Sequence, residues 1–514
     1  MYTTLLLVTL TVSAVVWIVS KLVEKRNPKL PADIPYVKFE DGDDSYQRYF
    51  EETRTVATLG YNKYIKKGKP FSMYNAANTD LPLLLLPMKY LDEVKNAHKS
   101  KLNLQKALDQ RAGLDKIGGF LLTDEVVTVV RMAMTKALSQ LIPELDQKCI
   151  AAYQEFMPAC AEWTEVNTMQ MLLKVWTRMI SHVMVGPELS QSDEWLKEMQ
   201  LFIPTIIKAS FALRGYRKSM YWVAKYITND IKEIYRLRSR LGRLLEPLLK
   251  ERLAAAAARS QMSGSKRMDL HADAVQWFVD EYGSKGIKPS ADQVARDMLM
   301  LSLVSILSTA ATLLGVIYDA LDRPEAFKEM KEEMARIYKE TDGNMSRAAL
   351  GQMVVLDSFM KESQRTNPIN QISAHRLAMQ DFTFKDGLRL PAGADIAFSN
   401  ELISEDPEYW GPDAAAFDPH RFLRMRRAGD LARSQVTSIT DDMMPFGNGH
   451  HACPGRFLAA DGMKLMFMNL IHRYELKYPE GVTSRPENGK GHHTMLPSST
   501  LPLLFKEKKT YNFS

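Results

Sequence analysis

From about Leu81 to Leu350 most apolar residues recur at i, i+3, i+4 and i+7, as in EVVTVVRMAMTKALSQLIPEL and ATLLGVIYDALDRPEAFKEMKEEMARIY. That period predicts a mainly α body. The longest run, Ala291 to Leu321, has no proline and few charges, among them Arg296, Asp297 and Asp319. It predicts one helix of about 45 Å at 1.5 Å per residue. Ser305, Ser308, Thr309 and Thr312 fall at i, i+3, i+4 and i+7 and draw a hydroxyl stripe along it. Such small residues also bond to carbonyls one turn back and allow close packing. Strand signals are short and late. The clearest is DFTFKDGLRLPAGADIAF (381–398), with period-two alternation, a Lys-Asp-Gly turn and a Pro-Ala-Gly break. The segment 253–269 predicts an exposed joint between two helices. With no internal repeat and no long linker, the expectation is mainly α with small β-sheets in one large domain over 36–514.

The N-terminus follows another pattern. Leu5 to Val19 carries no charge, and Leu5 to Val23 is long enough to cross a bilayer core, which takes about 20 apolar residues. Lys21, Lys25, Arg26 and Lys29 follow the apolar run rather than precede it, and no A-x-A site comes after, so a membrane anchor is expected over a cleaved signal. The positive-inside bias keeps that flank cytosolic. Pro28, Pro31 and Pro35 stiffen a basic linker. The expectation is an anchor at 1–23, a linker at 24–35 and a catalytic domain on the cytosolic membrane face.

Composition narrows the function classes. Cys149, Cys160 and Cys453 are an odd number of cysteines without a C-x-x-C pair, which argues against a disulfide framework. A net charge of +6 over 514 residues, without a basic-aromatic stripe, gives no sign of nucleic-acid binding.

Cys453 lies in FGNGHHACPGRF, 446–457, with three glycines and two histidines. A helical pattern follows, which predicts the sulfur at a helix N-cap with Pro454 at the first helical position. Unpaired N–H groups there lower a thiol pKa and favour thiolate. Three chemistries use such a sulfur. Zinc needs a fourth ligand that is not close in sequence, and adjacent His450 and His451 converge poorly on one ion. A Cys-His nucleophile needs a third, orienting group. Haem iron needs a single thiolate, and glycines let a loop lie flat beneath the ring.

These residues resemble the cytochrome P-450 superfamily, whose loop F-x-x-G-x-[R/H]-x-C-x-G matches Phe446, Gly449, His451, Cys453 and Gly455. The resemblance implies haem b with Cys453 as iron ligand and His451 at a propionate. Histidine at 451 and the run His-Ala-Cys-Pro-Gly-Arg-Phe are similar to fungal members. Glu362 and Arg365 match E-x-x-R, and Arg421 in FDPHRF matches P-x-R-F, implying a buried triad that braces the cysteine loop. Read alone, Glu362 and Arg365 are an i, i+3 surface pair. Arg376, five residues before Asp381, falls on the family's propionate arginine, and Arg131 is a further candidate.

The resemblance also gives the hydroxyl stripe a role. The family's [A/G]-G-x-[D/E]-T-[T/S] becomes Val304-Ser305-Ile306-Leu307-Ser308-Thr309, with leucine at the acid position. Ser308 and Thr309 can position water as catalytic residues, but Leu307 cannot relay a proton. The family implies a monooxygenase fed by NADPH-cytochrome P-450 reductase at the endoplasmic reticulum membrane, with exposed arginines of RFLRMRRAGDLAR as the docking face. Leu307 keeps open a haem-thiolate isomerase or peroxide user, and a non-enzymatic haem protein is a third class. Ser305 and the loop Ile369 to Ala374 are the expected substrate contacts. The substrate is expected to be a lipophilic small molecule, by likeness to ascomycete members that oxidise terpenoids in secondary metabolism.

Overall fold

The computed structural model describes residues 30–43, 45–75, 81–214, 216, 220–261, 272–491 and 493–513. The expected anchor and the first half of the linker, 24–29, lie outside these residues. The chain forms two compact units, one of residues up to Arg111 with Ala374–Ser399, the other of Ala112–Ser373 and Asn400 onward.

The smaller unit centres on a five-stranded sheet in the order Phe71–Met73, Leu83–Leu85, Asp395–Phe398, Ser373–Ala378 and Leu102–Asn103. Leu83–Leu85 runs antiparallel to Phe71–Met73 and parallel to Asp395–Phe398. All three of its leucines are buried, so it shows none of the alternation of a half-exposed strand. The strands are therefore not confined to the late sequence, and the helical reading from Leu81 fails over these residues. The expected hairpin is present: Phe382 pairs with Leu390 and Thr383 with Arg389, and Gly387 takes φ 92° in its turn.

The larger unit is helical. Ala291–Leu321 forms one helix of 31 residues with the expected bounds, opened by the Ser290 side chain accepting from the Gln293 N–H. Thr168–Leu189 and Asn229–Gln261 both pack on it, and Arg456–Arg473 packs on Thr135–Phe156 as well. It is apolar enough to cross a membrane by length and composition, but its flanks are buried against these neighbours. The predicted joint at 253–269 begins as the last turns of Asn229–Gln261, and 262–271 fall outside the described residues.

One element departs from regular helix. Between Asp124–Thr128 and Thr135–Phe156 the chain makes a π-helical turn over Val129–Met134. The Thr135 hydroxyl donates to the Val130 carbonyl, five residues back. Isolated π turns carry one extra residue and recur at functional sites.

Candidate active site

The cysteine segment begins with a short 3-10 turn, Gly449–His451, and continues into the helix Arg456–Arg473. Gly447 and Gly449 take φ 69° and 63°, a left-handed conformation in which a side chain is strained. The Cys453 N–H donates to the Phe446 carbonyl at 2.7 Å and closes the loop. Arg456 Nη1 donates to the Cys453 carbonyl at 2.9 Å and its Nε to Thr437. The helix cap is Gly455, not Cys453, because Pro454 and Gly455 form a turn before the first helical residue. Cys453 is half-buried, whereas Cys149 and Cys160 are fully buried.

The thiol corrects a second expectation. Burial pushes Cys453 above its ordinary value, against the N–H groups of Gly455 and Arg456 and the Arg456 charge, which favour thiolate. Desolvation outweighs these groups, and a coordinated cation would favour the thiolate.

The Glu362 region is fully inside. Glu362 and Arg365 are both 0% exposed, which removes the surface-pair alternative. Arg365 Nε and Nη2 donate to the two Glu362 oxygens at 2.8 and 2.7 Å. Arg421 Nε reaches Glu362 Oε1 at 3.2 Å, and the Asp418 N–H donates to the same oxygen at 2.9 Å. Arg365 also donates to the carbonyls of Ser404, Ala414 and Ala416. Arg421 is closed off by Asp413. The acceptor carbonyls and Asp413 were not anticipated, because backbone atoms leave no mark in a motif.

Arg131 sits in the π turn, and its Nη2 donates to the His450 carbonyl at 3.0 Å. A Cβ added at Gly455 would lie 3.7 Å from Val130 Cγ1 and 4.0 Å from Met134 Cε. The π turn thus packs on the cysteine loop at two points, while the rest of the Arg131 side chain is exposed.

On the long helix the stripe divides. Ser308 Oγ donates to the Val304 carbonyl and Thr312 Oγ1 to the Ser308 carbonyl, as packing hydroxyls do. Thr309 is buried. Ser305 Oγ is buried without a partner, and the Ser305 carbonyl accepts from the Trp176 indole at 3.2 Å. Val304, 46% exposed, and Ser308 open one face of the middle of this otherwise buried helix. Ile369 joins the carboxy-terminal hairpin of Gly489–Gly491 and Thr494–Leu496 by accepting the Met495 N–H at 2.8 Å.

In the smaller unit Arg376 is 1% exposed, and burial drives its pKa down to about 10. Its Nη1 donates to the neighbouring His375 carbonyl, while Nε and Nη2 have no partner. A buried guanidinium in this state suits an anionic group. Asp381 accepts from the Ala392 N–H. Ala374 occupies φ 54°, a strained angle for a residue with a side chain.

Haem b fits these residues. In the larger unit, a half-buried sulfur faced by two N–H groups, glycines at positive φ beside it and an open helix face each suit a flat, apolar ring. No group of three or more His, Cys, Asp or Glu among the described residues could hold a metal ion. That leaves the zinc alternative without ligands.

The cytochrome P450 family model matches residues 86–505. A cytochrome P450 monooxygenase of Chaetomium globosum, cheE, is 33% identical over 94% of this chain and 93% of its own length. The monooxygenase ccsG of Aspergillus clavatus is 33% identical over 92% and 93%. The pyrichalasin C-7 hydroxylase of Pyricularia grisea is 32% identical over 88% of each. The chain belongs to the cytochrome P450 family. It is a haem-thiolate monooxygenase similar to fungal enzymes of secondary metabolism.

Proposed function

We propose that this chain binds haem b through Cys453 and oxidises a C–H bond of a lipophilic secondary metabolite with electrons from NADPH-cytochrome P-450 reductase. The observation that carries it is the cysteine loop, whose sulfur meets the Gly455 and Arg456 N–H groups while Arg131 and Arg456 hold its carbonyls. Bound there, the haem supplies dioxygen activation and the oxidising equivalent. Around it, His451, Arg376 and Arg131 serve the propionates and Glu362, Arg365 and Arg421 brace the loop. Thr309 and Ser308 line the oxygen side. With its hydrogen on the Val304 carbonyl, Ser308 Oγ can still accept from a water, so protons arrive by water rather than by a side-chain acid at 307.

Ser305, Ile369 and Ala374 border the substrate. Terpenoid scaffolds remain the first candidates from the sequence. The pyrichalasin hydroxylase relative favours hydroxylation of a pyrichalasin-like scaffold as a second. Residues 1–23 anchor the protein in the endoplasmic reticulum membrane with the domain 36–514 in the cytosol.

For the reductase, Arg421, Arg424 and Arg433 are occupied by Glu362, Asp418 and Asp442. Arg427 is exposed and Arg426 half-exposed beside it, and these two make the docking charge. Purified protein, reduced under carbon monoxide, should show the red-shifted Soret band of thiolate ligation and lose it in Cys453→Ala; a band that survives sinks the proposal. Reversing Arg426 and Arg427 together should cut reductase-driven turnover about tenfold and spare peroxide-driven turnover. Co-expression with a reductase, fed both scaffold classes, identifies the product by mass.

A further inference from the structure

Trp176 is 1% exposed and comes from the middle of the helix Thr168–Leu189. Its ring lies between two other helices. On one side a Cβ added at Gly462 would stand 2.3 Å from its Cζ3 and 2.6 Å from its Cη2. Position 462 therefore tolerates only glycine while the indole is there. Gly462 lies on Arg456–Arg473, the helix that begins three residues after Cys453. On the other side the indole Nε1–H donates to the Ser305 carbonyl at 3.2 Å.

A helical carbonyl has two lone pairs, and the Ser305 oxygen is also the one that the Thr309 amide uses in a regular helix. A second donor on the other lone pair ties this turn to the neighbouring helix without replacing the bond the carbonyl makes within its own helix. The next carbonyl upstream, Val304, likewise takes a side-chain donor, Ser308 Oγ at 3.0 Å. Two successive carbonyls of one turn are thus loaded, one from inside the helix and one from a neighbouring helix. This is the turn at which Val304 and Ser308 open to solvent.

We infer that Trp176 is a positioning residue: through the Ser305 carbonyl it fixes the Val304–Thr309 turn, and with it the Ser308 and Thr309 hydroxyls, relative to the helix that follows Cys453. The inference rests on the proposed reading that this turn faces the haem. A plain packing residue would need only the ring; a positioning residue needs the N–H. Trp176→Phe keeps an aromatic ring and removes the donor.

Two measurements on the full-length holoprotein, neither needing a substrate, test it. Amide hydrogen exchange of the peptide spanning 303–312 should accelerate at least tenfold in Trp176→Phe, while peptides from Asn229–Gln261 and Arg456–Arg473 keep their wild-type rates. The C–O stretching band of the carbon monoxide complex, which senses polar groups on the open side of the iron, should shift or broaden. Wild-type exchange at 303–312 overturns the role of the indole N–H. Faster exchange with an unmoved C–O band overturns instead the reading that this turn faces the haem. If Trp176→Phe does not accumulate, Trp176→Tyr, which also lacks the indole donor, gives the same two readouts.

Discussion

Around Glu362 every buried charge is met by partners from distant stretches of chain, whereas along Val304–Thr312 the hydroxyls of Ser308 and Thr312 turn back onto their own helix. The first arrangement joins four segments, at 362–365, 404, 413–418 and 421, so no single member is dispensable. The second is local: each hydroxyl bonds one turn back in its own helix and ties no distant segment to it. Leu307 at the acid position sits in this second region, packed against the hydrophobic core.

The strongest way to break the contrast is Arg365→Ala. It removes two of the four donors to the buried Glu362 carboxylate, leaving Arg421 and the Asp418 N–H, and frees three carbonyls, and should cost about 3–5 kcal/mol. The expected outcome is protein that purifies without haem or melts far below wild type. Near-wild-type haem content and denaturation midpoint would show that the brace is redundant.

A middle-sized effect comes from a buried group that has no countercharge. Burial, together with Arg473 and Lys508 nearby, drives the His472 pKa down to about 4. Its ring stacks on Phe513, with centroids 4.9 Å apart, and lies 4.5 Å from Tyr338. The folded pKa is below the unfolded one of about 6.5, so the unfolded chain takes up the proton first as pH falls. Stability should be fully present above pH 6.5 and be lost progressively down to about pH 4. His472→Phe should flatten that part of a melting-temperature profile, and an unchanged slope would assign the acid loss to other groups.

The smallest effect expected is Ser308→Ala, whose exposed hydroxyl makes only a local bond. The stability to denaturation should stay within about 0.5 kcal/mol of wild type, while more of the NADPH consumed should end as peroxide. A large loss of stability would place Ser308 with the brace after all.

What the sequence made legible follows the same division. Ala291–Leu321 was readable to the residue, because an uninterrupted apolar run without proline is bounded by Ser290 and Asp322. The cysteine loop and the triad were readable as motifs, since their chemistry lies in side chains. Phe71–Met73 and Leu83–Leu85 were not, because short runs buried on both faces look alike in strand and helix. Nor was the π turn, since VVRMAM carries the same apolar spacing as the helix around it. The Trp176 contact ends on a carbonyl, which every residue has. The thiol was misjudged in direction because its helix terminus is visible in sequence and its burial is not.

The π turn leaves a mark on how this chain can change. Its surplus residue offsets the screw of everything upstream by about 100° relative to a regular helix. Deleting one residue within 129–134 would restore ordinary pitch and yet swing either Arg131 away from His450 or Val130 away from Gly455, since both cannot keep their bearings at once. A shorter, more regular helix here would be the better helix and the worse neighbour, so length at this point is tied to the cysteine loop rather than to helical comfort.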